Sequence, residues 1–125
     1  LFARLLETQG DIKKLTKEEK NLAKDAKNYM DRMYSRDIRI QDVAGILHVH
    51  PNYLSTLFRR EYDQSPREYL RKVRMNQAKI LLTTTEYSIS DISSDVGYTN
   101  PFQFSKVFKS CYGISPTEYR NMRQV

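Results

Sequence analysis

Apolar residues recur along this chain at the spacing of helix faces. Leu22, Ala26, Tyr29, Met30 and Met33 lie three or four positions apart, the period of one buried side of an α-helix. Thr16 followed by Glu19 is the sequence form of a capping box and sets the start of that helix. Its opposite side, Lys20, Lys24, Lys27 and Asp31, reads as a solvated charge stripe. Ahead of it, residues 1–10 form a short apolar and basic segment closed by Gly10, a helix-stop signal. A second long run, Arg67 to Thr83, contains no Gly or Pro, and TTTEYS follows it as a turn. Its apolar residues Leu70, Val73, Met75, Ala78, Ile80, Leu81 and Leu82 fall on more than one side, so this helix is expected to pack against two neighbours over about 25 Å.

From residue 36 onward the pattern repeats. Ile40, Asp42, Val43 and Leu47 align with Ile89, Asp91, Ile92 and Val96, a shift of 49. After one inserted residue, Leu54, Ser55, Leu57, Phe58, Tyr62, Ser65-Pro66 and Glu68-Tyr69 align with Phe104, Ser105, Val107, Phe108, Tyr112, Ser115-Pro116 and Glu118-Tyr119, a shift of 50. Each copy predicts a short helix (about Ile40–Leu47 and Ser90–Val96), a tight turn, and a longer helix opened by Pro51 or Pro101 at its first position. His50 and Asn100 stand at the matching cap positions, and Gly97 suits a left-handed residue closing the short helix. The expectation is an all-α fold of about seven helices: two helix-turn-helix subdomains joined by a long connector helix. Residues 16–83 are expected to form the first lobe with the connector, and 84–125 the second. Leu1 opens what reads as the last turns of a helix, so residues 1–15 are expected to be the tail of a preceding sensor domain or a linker.

Composition narrows the class of partner. There are 21 Lys plus Arg against 15 Asp plus Glu, a net charge of +6, which favours a polyanion. The excess is spread over the chain, so charge alone places no site. No apolar run approaches the roughly 20 residues of a membrane span, and no signal-peptide pattern is present. The single cysteine, Cys111, cannot form an internal disulfide; it is expected on the inward side of its helix as a packed thiol, in a reducing compartment. His48 and His50 lack a third ligand, so no metal site is expected. No Gly-rich phosphate loop or nucleophile with a partnered His and acid is present, so neither catalysis nor a cofactor is expected.

The two longer helices carry the candidate chemistry. One places Leu54, Leu57, Phe58 and Tyr62 inward and Asn52, Ser55, Thr56 and Arg59 outward; the other turns Phe102, Ser105, Lys106 and Lys109 outward. Short hydrogen-bonding side chains beside a cation are what reading base edges in a major groove requires. Phe102 is either a stray exposed aromatic or a group for a thymine methyl, and Asn52 either a first-turn polar residue or a bidentate partner for adenine. Arg59, Arg60 and Lys109 suit phosphates, as does Arg39 at the start of the first short helix.

The segments IQDVAGILHVHPNYLSTLFRREYDQSPREYL, RMNQAKILL and ISDISSDVGYTNPFQFSKVFKSCYGISPTEYR resemble the AraC/XylS family of bacterial transcription regulators over about residues 36–123. The resemblance implies two helix-turn-helix motifs set in adjacent major grooves of double-stranded DNA. It places base-reading positions on Asn52, Ser55 and Thr56 in the first copy and on Pro101, Phe102, Ser105 and Lys106 in the second. The chain departs from the family pattern at His50, where serine is usual, and at Thr56, where arginine is common. A threonine cannot supply a bidentate guanine contact, so the first motif is expected to lean on Asn52, Arg59 and DNA shape. The resemblance further implies a cytoplasmic, nucleoid-associated activator, with carbohydrate utilisation as a guess, RNA polymerase as a partner, and an effector acting through a preceding domain. The intact protein is expected to be a homodimer and this segment a monomer. The rival reading is a basic helical module that docks an acidic protein.

Overall fold

A computed structural model describes residues 14–122. They form seven helices: α1 (Lys17–Met33), α2 (Ile40–Ile46), α3 (Pro51–Tyr62), α4 (Pro66–Thr84), α5 (Ile89–Asp95), α6 (Pro101–Tyr112) and α7 (Pro116–Met122). The segment expected over residues 1–10 lies outside the described residues.

Helix starts are fixed by reciprocal caps. The Glu19 backbone N–H donates to Thr16 Oγ1 at 3.1 Å, and the Thr16 N–H donates to the Glu19 carboxylate at 2.8 Å. The repeated Ser-Pro-x-Glu sequence builds the same box twice more, at α4 with Ser65 and Glu68 and at α7 with Ser115 and Glu118. Pro66 and Pro116, each at a first helical position that needs no N–H partner, are buried.

The buried apolar side chains fall into two clusters. Ala26 and Met30 of α1, Val43 and Ala44 of α2, Leu54 and Phe58 of α3 and Leu70 of α4 form one. Met75, Ala78 and Leu82 of α4, Ile92 of α5, Val96 just after it, and Phe104 and Phe108 of α6 form the other, with Tyr119 of α7 packed against it. On α1 the buried stripe is Ala23, Ala26 and Met30; Leu22, Tyr29 and Met33 lie at its margins, half-buried. Phe58 in the first core and Phe104 and Phe108 in the second are fully buried. Phe58 meets Tyr62 and Tyr69 with ring centres 4.7 and 5.7 Å apart, and Phe108 meets Tyr112 and Tyr119 at 4.7 and 5.6 Å. Tilted ring pairs of this kind add about 0.5–1.5 kcal/mol each beyond the area they bury.

Helix α4 belongs to both cores. At about 100° per residue, Pro66 and Leu70 face one side of it, and Met75, Ala78 and Leu82 face a side roughly 130° away. A chain division at residue 83 therefore falls in the last turn of a helix that both lobes use. Polar contacts repeat in the same sense. In the first lobe Lys27 of α1 lies 5.5 Å above the Tyr69 ring; in the second, Lys79 of α4 lies 6.0 Å from the Tyr119 ring and 4.6 Å from that of Tyr112. Arg74 Nε donates to the Tyr34 carbonyl at 3.0 Å just beyond α1, and Arg120 Nε donates to the Leu82 carbonyl at 3.2 Å near the end of α4. Helix α4 thus serves the second lobe as α1 serves the first, and serves the first as α7 serves the second.

The charged side of α1 is less solvated than its sequence implies. Lys27 pairs with Asp31 at 3.3 Å, and the Tyr69 hydroxyl donates to the Asp31 carboxylate, so these two residues dock α4. Lys20 and Lys24 remain exposed. Cys111 corrects an expectation: it is exposed, while its neighbour Tyr112 is the residue of that turn packed against the core. Its counterpart under the shift of 50 is Glu61, also exposed.

The capping boxes predict how acid acts on the fold. The Ser65 N–H, and then the serine hydroxyl, hold the Glu68 carboxyl below its ordinary pKa, and Ser115 does the same for Glu118. A lowered folded-state pKa means the stabilisation is present above the ordinary glutamate value and lost as pH falls through the lowered one. In thermal melts from about pH 7 to about pH 3, the advantage of the wild type over Glu68→Gln/Glu118→Gln should shrink as the pH falls below the ordinary glutamate range. A difference that stays constant across that range would contradict the assignment.

Candidate nucleic-acid interface

Two turns of the same build place α3 and α6. After α2, the His48 and Val49 N–H groups donate to the Gly45 and Ala44 carbonyls at 3.1 and 3.0 Å; after α5, the Gly97 and Tyr98 N–H groups donate to Ser94 and Ser93 at 3.1 and 2.9 Å. Both are Schellman closures, which need a left-handed residue. His48 fills that position at φ 60° and Gly97 at φ 99°. At the far ends of α3 and α6, Asp63 (φ 58°) and Gly113 (φ 82°) are again left-handed, here in the simpler closure in which one N–H donates to the Arg59 or Lys109 carbonyl at 2.8 or 2.7 Å. Helices α3 and α6 start on side-chain caps: His50 Nδ1 accepts from the Asn52 N–H at 3.1 Å, and Asn100 Oδ1 accepts from the Phe102 and Gln103 N–H groups at 2.8 and 3.2 Å. His48 and His50 thus have backbone roles, and among the described residues no group of three His, Cys, Asp or Glu is placed to hold a metal ion.

The predicted site residues fall on two matching surfaces. Asn52, Thr56 and Arg59 of α3 and Phe102, Lys106 and Lys109 of α6 are exposed; Ser55, Ser105 and Pro101 are half-buried at the edges of these faces. Phe102 is 86% exposed, far more than any other large apolar side chain described, beside polar neighbours that give it no apolar cover. Two contacts refine the first surface. The Thr56 hydroxyl donates to the Asn52 carbonyl one turn back at 3.0 Å, which leaves its methyl and oxygen lone pairs outward. Arg59 lies 3.8 Å from the Glu68 carboxylate; Glu118 is held down chiefly by its hydrogen bonds with Ser115 and only weakly by the charge of Lys109, the repeat counterpart of Arg59. Arg60 lines a shallow hollow with Ser55, Thr56 and Arg59.

Between the lobes lies a junction that the predicted residues do not include. The Arg74 guanidinium donates to the Tyr34 and Arg36 carbonyls at 3.0 and 2.9 Å and sits 5.4 Å from the centre of the Tyr98 ring. Burial draws the Arg74 pKa down against the pull of Tyr98 and Asp37, and burial raises that of the Tyr98 phenol. A side chain at Gly97 would place its Cβ 2.3 Å from the Tyr34 carbonyl oxygen and 2.8 Å from Arg74 Nε. Beside this junction opens a cleft of about 540 Å³ whose lining includes Arg39, Arg67, Arg71 and Gln103. Arg39, predicted for phosphate, therefore lines the cleft beside this junction. The sequence signal for Arg74 is its place on α4 between the two apolar faces.

Comparison with known proteins agrees with this geometry. A family model described as a helix-turn-helix domain matches residues 43–122. The chain is 38% identical over 110 residues to the raffinose operon transcriptional regulatory protein RafR of Pediococcus pentosaceus, covering 88% of this chain and 39% of that protein. It is 40% identical over 96 residues to the lactose operon transcription activator of Staphylococcus xylosus, covering 77% and 34%. Its fold matches the C-terminal domain of AraT, a response regulator from Geobacillus stearothermophilus, with a TM-score of 0.80 at 36% identity over 83% of this chain and 87% of that one. The chain thus spans well under half the length of these two operon regulators.

The glycines separate backbone strain from crowding. Gly97→Ala adds a left-handed penalty and a steric one and should cost about 2–5 kcal/mol in urea unfolding. Gly113→Ala meets nothing within 4 Å, so it should cost only the backbone share of about 1–2 kcal/mol. Equal losses would contradict the close approach at Gly97.

Proposed function

Because this chain belongs to the AraC/XylS family of helix-turn-helix transcription regulators, we propose that it works as the output domain of such a regulator, setting α3 and α6 into adjacent major grooves on one face of double-stranded DNA. The observation that carries this reading is the duplication of a complete recognition device. Both helices leave the same turn, start on a side-chain cap, are pinned to their own core by a phenylalanine, and turn hydrogen-bonding groups and a cation outward.

Asn52, Ser55 and Thr56 read bases from α3, with the Thr56 methyl as its main offering. Pro101, Phe102, Ser105 and Lys106 read them from α6, where Phe102 supplies apolar surface for a thymine methyl. Arg39, Arg60 and Lys109 hold phosphates. Arg59, expected both on the base-reading face and as a phosphate contact, is the repeat counterpart of Lys109 at a shift of 50, and that equivalence favours a phosphate for it.

For the intact protein the reading extends to activation of genes for carbohydrate use, which the names of the raffinose and lactose operon relatives support. It includes contact with RNA polymerase, an effector bound by a domain ahead of about residue 15, and homodimerisation through that domain, with this segment monomeric. A place in the cytoplasm at the nucleoid belongs to the same reading. No helix of the described residues is long and apolar enough to cross a membrane.

Duplexes selected by this chain from a random library, titrated at several salt concentrations, test the reading. Affinity should fall with a log–log slope near −0.9 per phosphate contacted. Phe102→Ala and Lys106→Ala should weaken the selected duplex by about 5- to 150-fold and random duplex little, equivalent to about 1–3 kcal/mol. Lys109→Ala should weaken both alike. Selection of no sequence, or equal losses on both duplexes for all three variants, would favour a basic module for acidic proteins instead.

A further inference from the structure

The two lobes are joined by one continuous helix, and the angle between them decides whether α3 and α6 can reach two grooves together. Arg74 lies on the strip of α4 between its two apolar faces. Its two carbonyl partners, Tyr34 and Arg36, lie between α1 and α2 of the first lobe. The ring it faces, Tyr98, belongs to the turn between α5 and α6: the Tyr98 N–H donates to the Ser93 carbonyl at 2.9 Å, and its ring lies 5.7 Å from that of Phe104. Gly97, the neighbour of Tyr98, lets the second lobe's turn approach the Tyr34 carbonyl itself. Clefts of about 540 and 380 Å³ open beside this point, and Gly97 and Tyr98 line both.

From this geometry we propose that Arg74 is a positioning residue for DNA recognition: it pins the turn before α6 to the loop before α2 and so sets the spacing of the two subsites the chain accepts. The inference rests on the two-groove reading above. Arginine suits the task because its planar fork bonds two carbonyls while its face stacks on a ring, and lysine offers only a point charge. The mechanism is one of effective concentration. Once one lobe is seated, a fixed second lobe finds its groove as an intramolecular step, and a swivelling lobe loses that advantage and accepts several spacings.

Arg120 is the internal comparison. It makes the same kind of bonds to carbonyls, Leu82 at 3.2 Å and Thr85 at 3.3 Å, within the second lobe. The device that closes each lobe has, at Arg74 alone, a second use across the junction.

The test selects duplexes from a library in which the spacer between two subsites varies in single base-pair steps around one helical turn, roughly 10–10.5 bp. The wild-type chain should return one dominant spacing. Arg74→Ala, Arg74→Lys and Tyr98→Leu should each return several, with affinity for the two-subsite duplex down about tenfold or more and that for a duplex bearing one subsite changed less than about twofold. Residual dipolar couplings of the free chains give a second measurement: one alignment frame should fit both lobes of the wild type, and two should be needed for each variant. Arg74→Lys and Tyr98→Leu keep the test intact should Arg74→Ala not fold. The proposal is overturned if Arg74→Lys keeps the wild-type spacing, if one- and two-subsite duplexes weaken by the same factor, or if a single frame still fits the variants. Selection of no sequence by the wild type would defeat the DNA reading, and the dipolar couplings would still decide the junction.

Discussion

Everything in this molecule hangs on a helix that is buried from two directions. Helix α4 gives Leu70 to one core and Met75, Ala78 and Leu82 to the other, so each lobe is completed by the same nineteen residues. A helix is stiff and its faces are fixed in phase, which makes the rotation from one core to the other a property of sequence spacing alone. Moving an apolar residue by one position would turn one lobe by about 100° relative to its partner. The repeat is therefore more than two similar halves. Each lobe has four helical segments, and the chain saves one by letting α4 be last in the first lobe and first in the second.

The recognition surfaces inherit their order from this arrangement. Neither α3 nor α6 carries its own support; each is held by a phenylalanine driven into the core beneath it and by a Schellman turn and a side-chain cap at its start. Polar and charged groups can then stand outward without being needed for packing, which leaves their chemistry open to DNA. The modest net charge of +6 is consistent with this division. In the proposed reading, charge supplies general attraction to a polyanion, and discrimination falls to the few side chains on two faces, Phe102 foremost because so much of it is uncovered.

Much of this was legible in the sequence because it depends on local spacing. The helices, the turns, the two inward stripes and the exposure of Phe102 followed from periodicity and from aligning Ile40 with Ile89 and Leu54 with Phe104. Contacts between distant elements did not. Arg74 and Arg120 play matching parts yet stand 46 residues apart, because Arg74 is two turns into its helix and Arg120 one; an alignment at shifts of 49 and 50 passes over them. Lys27 and Asp31 read as solvated because Tyr69, which meets both, lies far along the chain. Cys111 shows the opposite case. The helical spacing put it inward, while the repeat itself, which pairs it with Glu61, held the better answer.

The central claim is that one rigid shared helix presents two recognition helices to one face of DNA. Methylation interference at guanine N7 together with a hydroxyl-radical footprint, on a duplex selected by this chain, tests it most directly. The account predicts two contacted major-groove patches about one turn, roughly 10–10.5 bp, apart on the same face, with backbone protection between them. A single patch, or two on opposite faces, would contradict it.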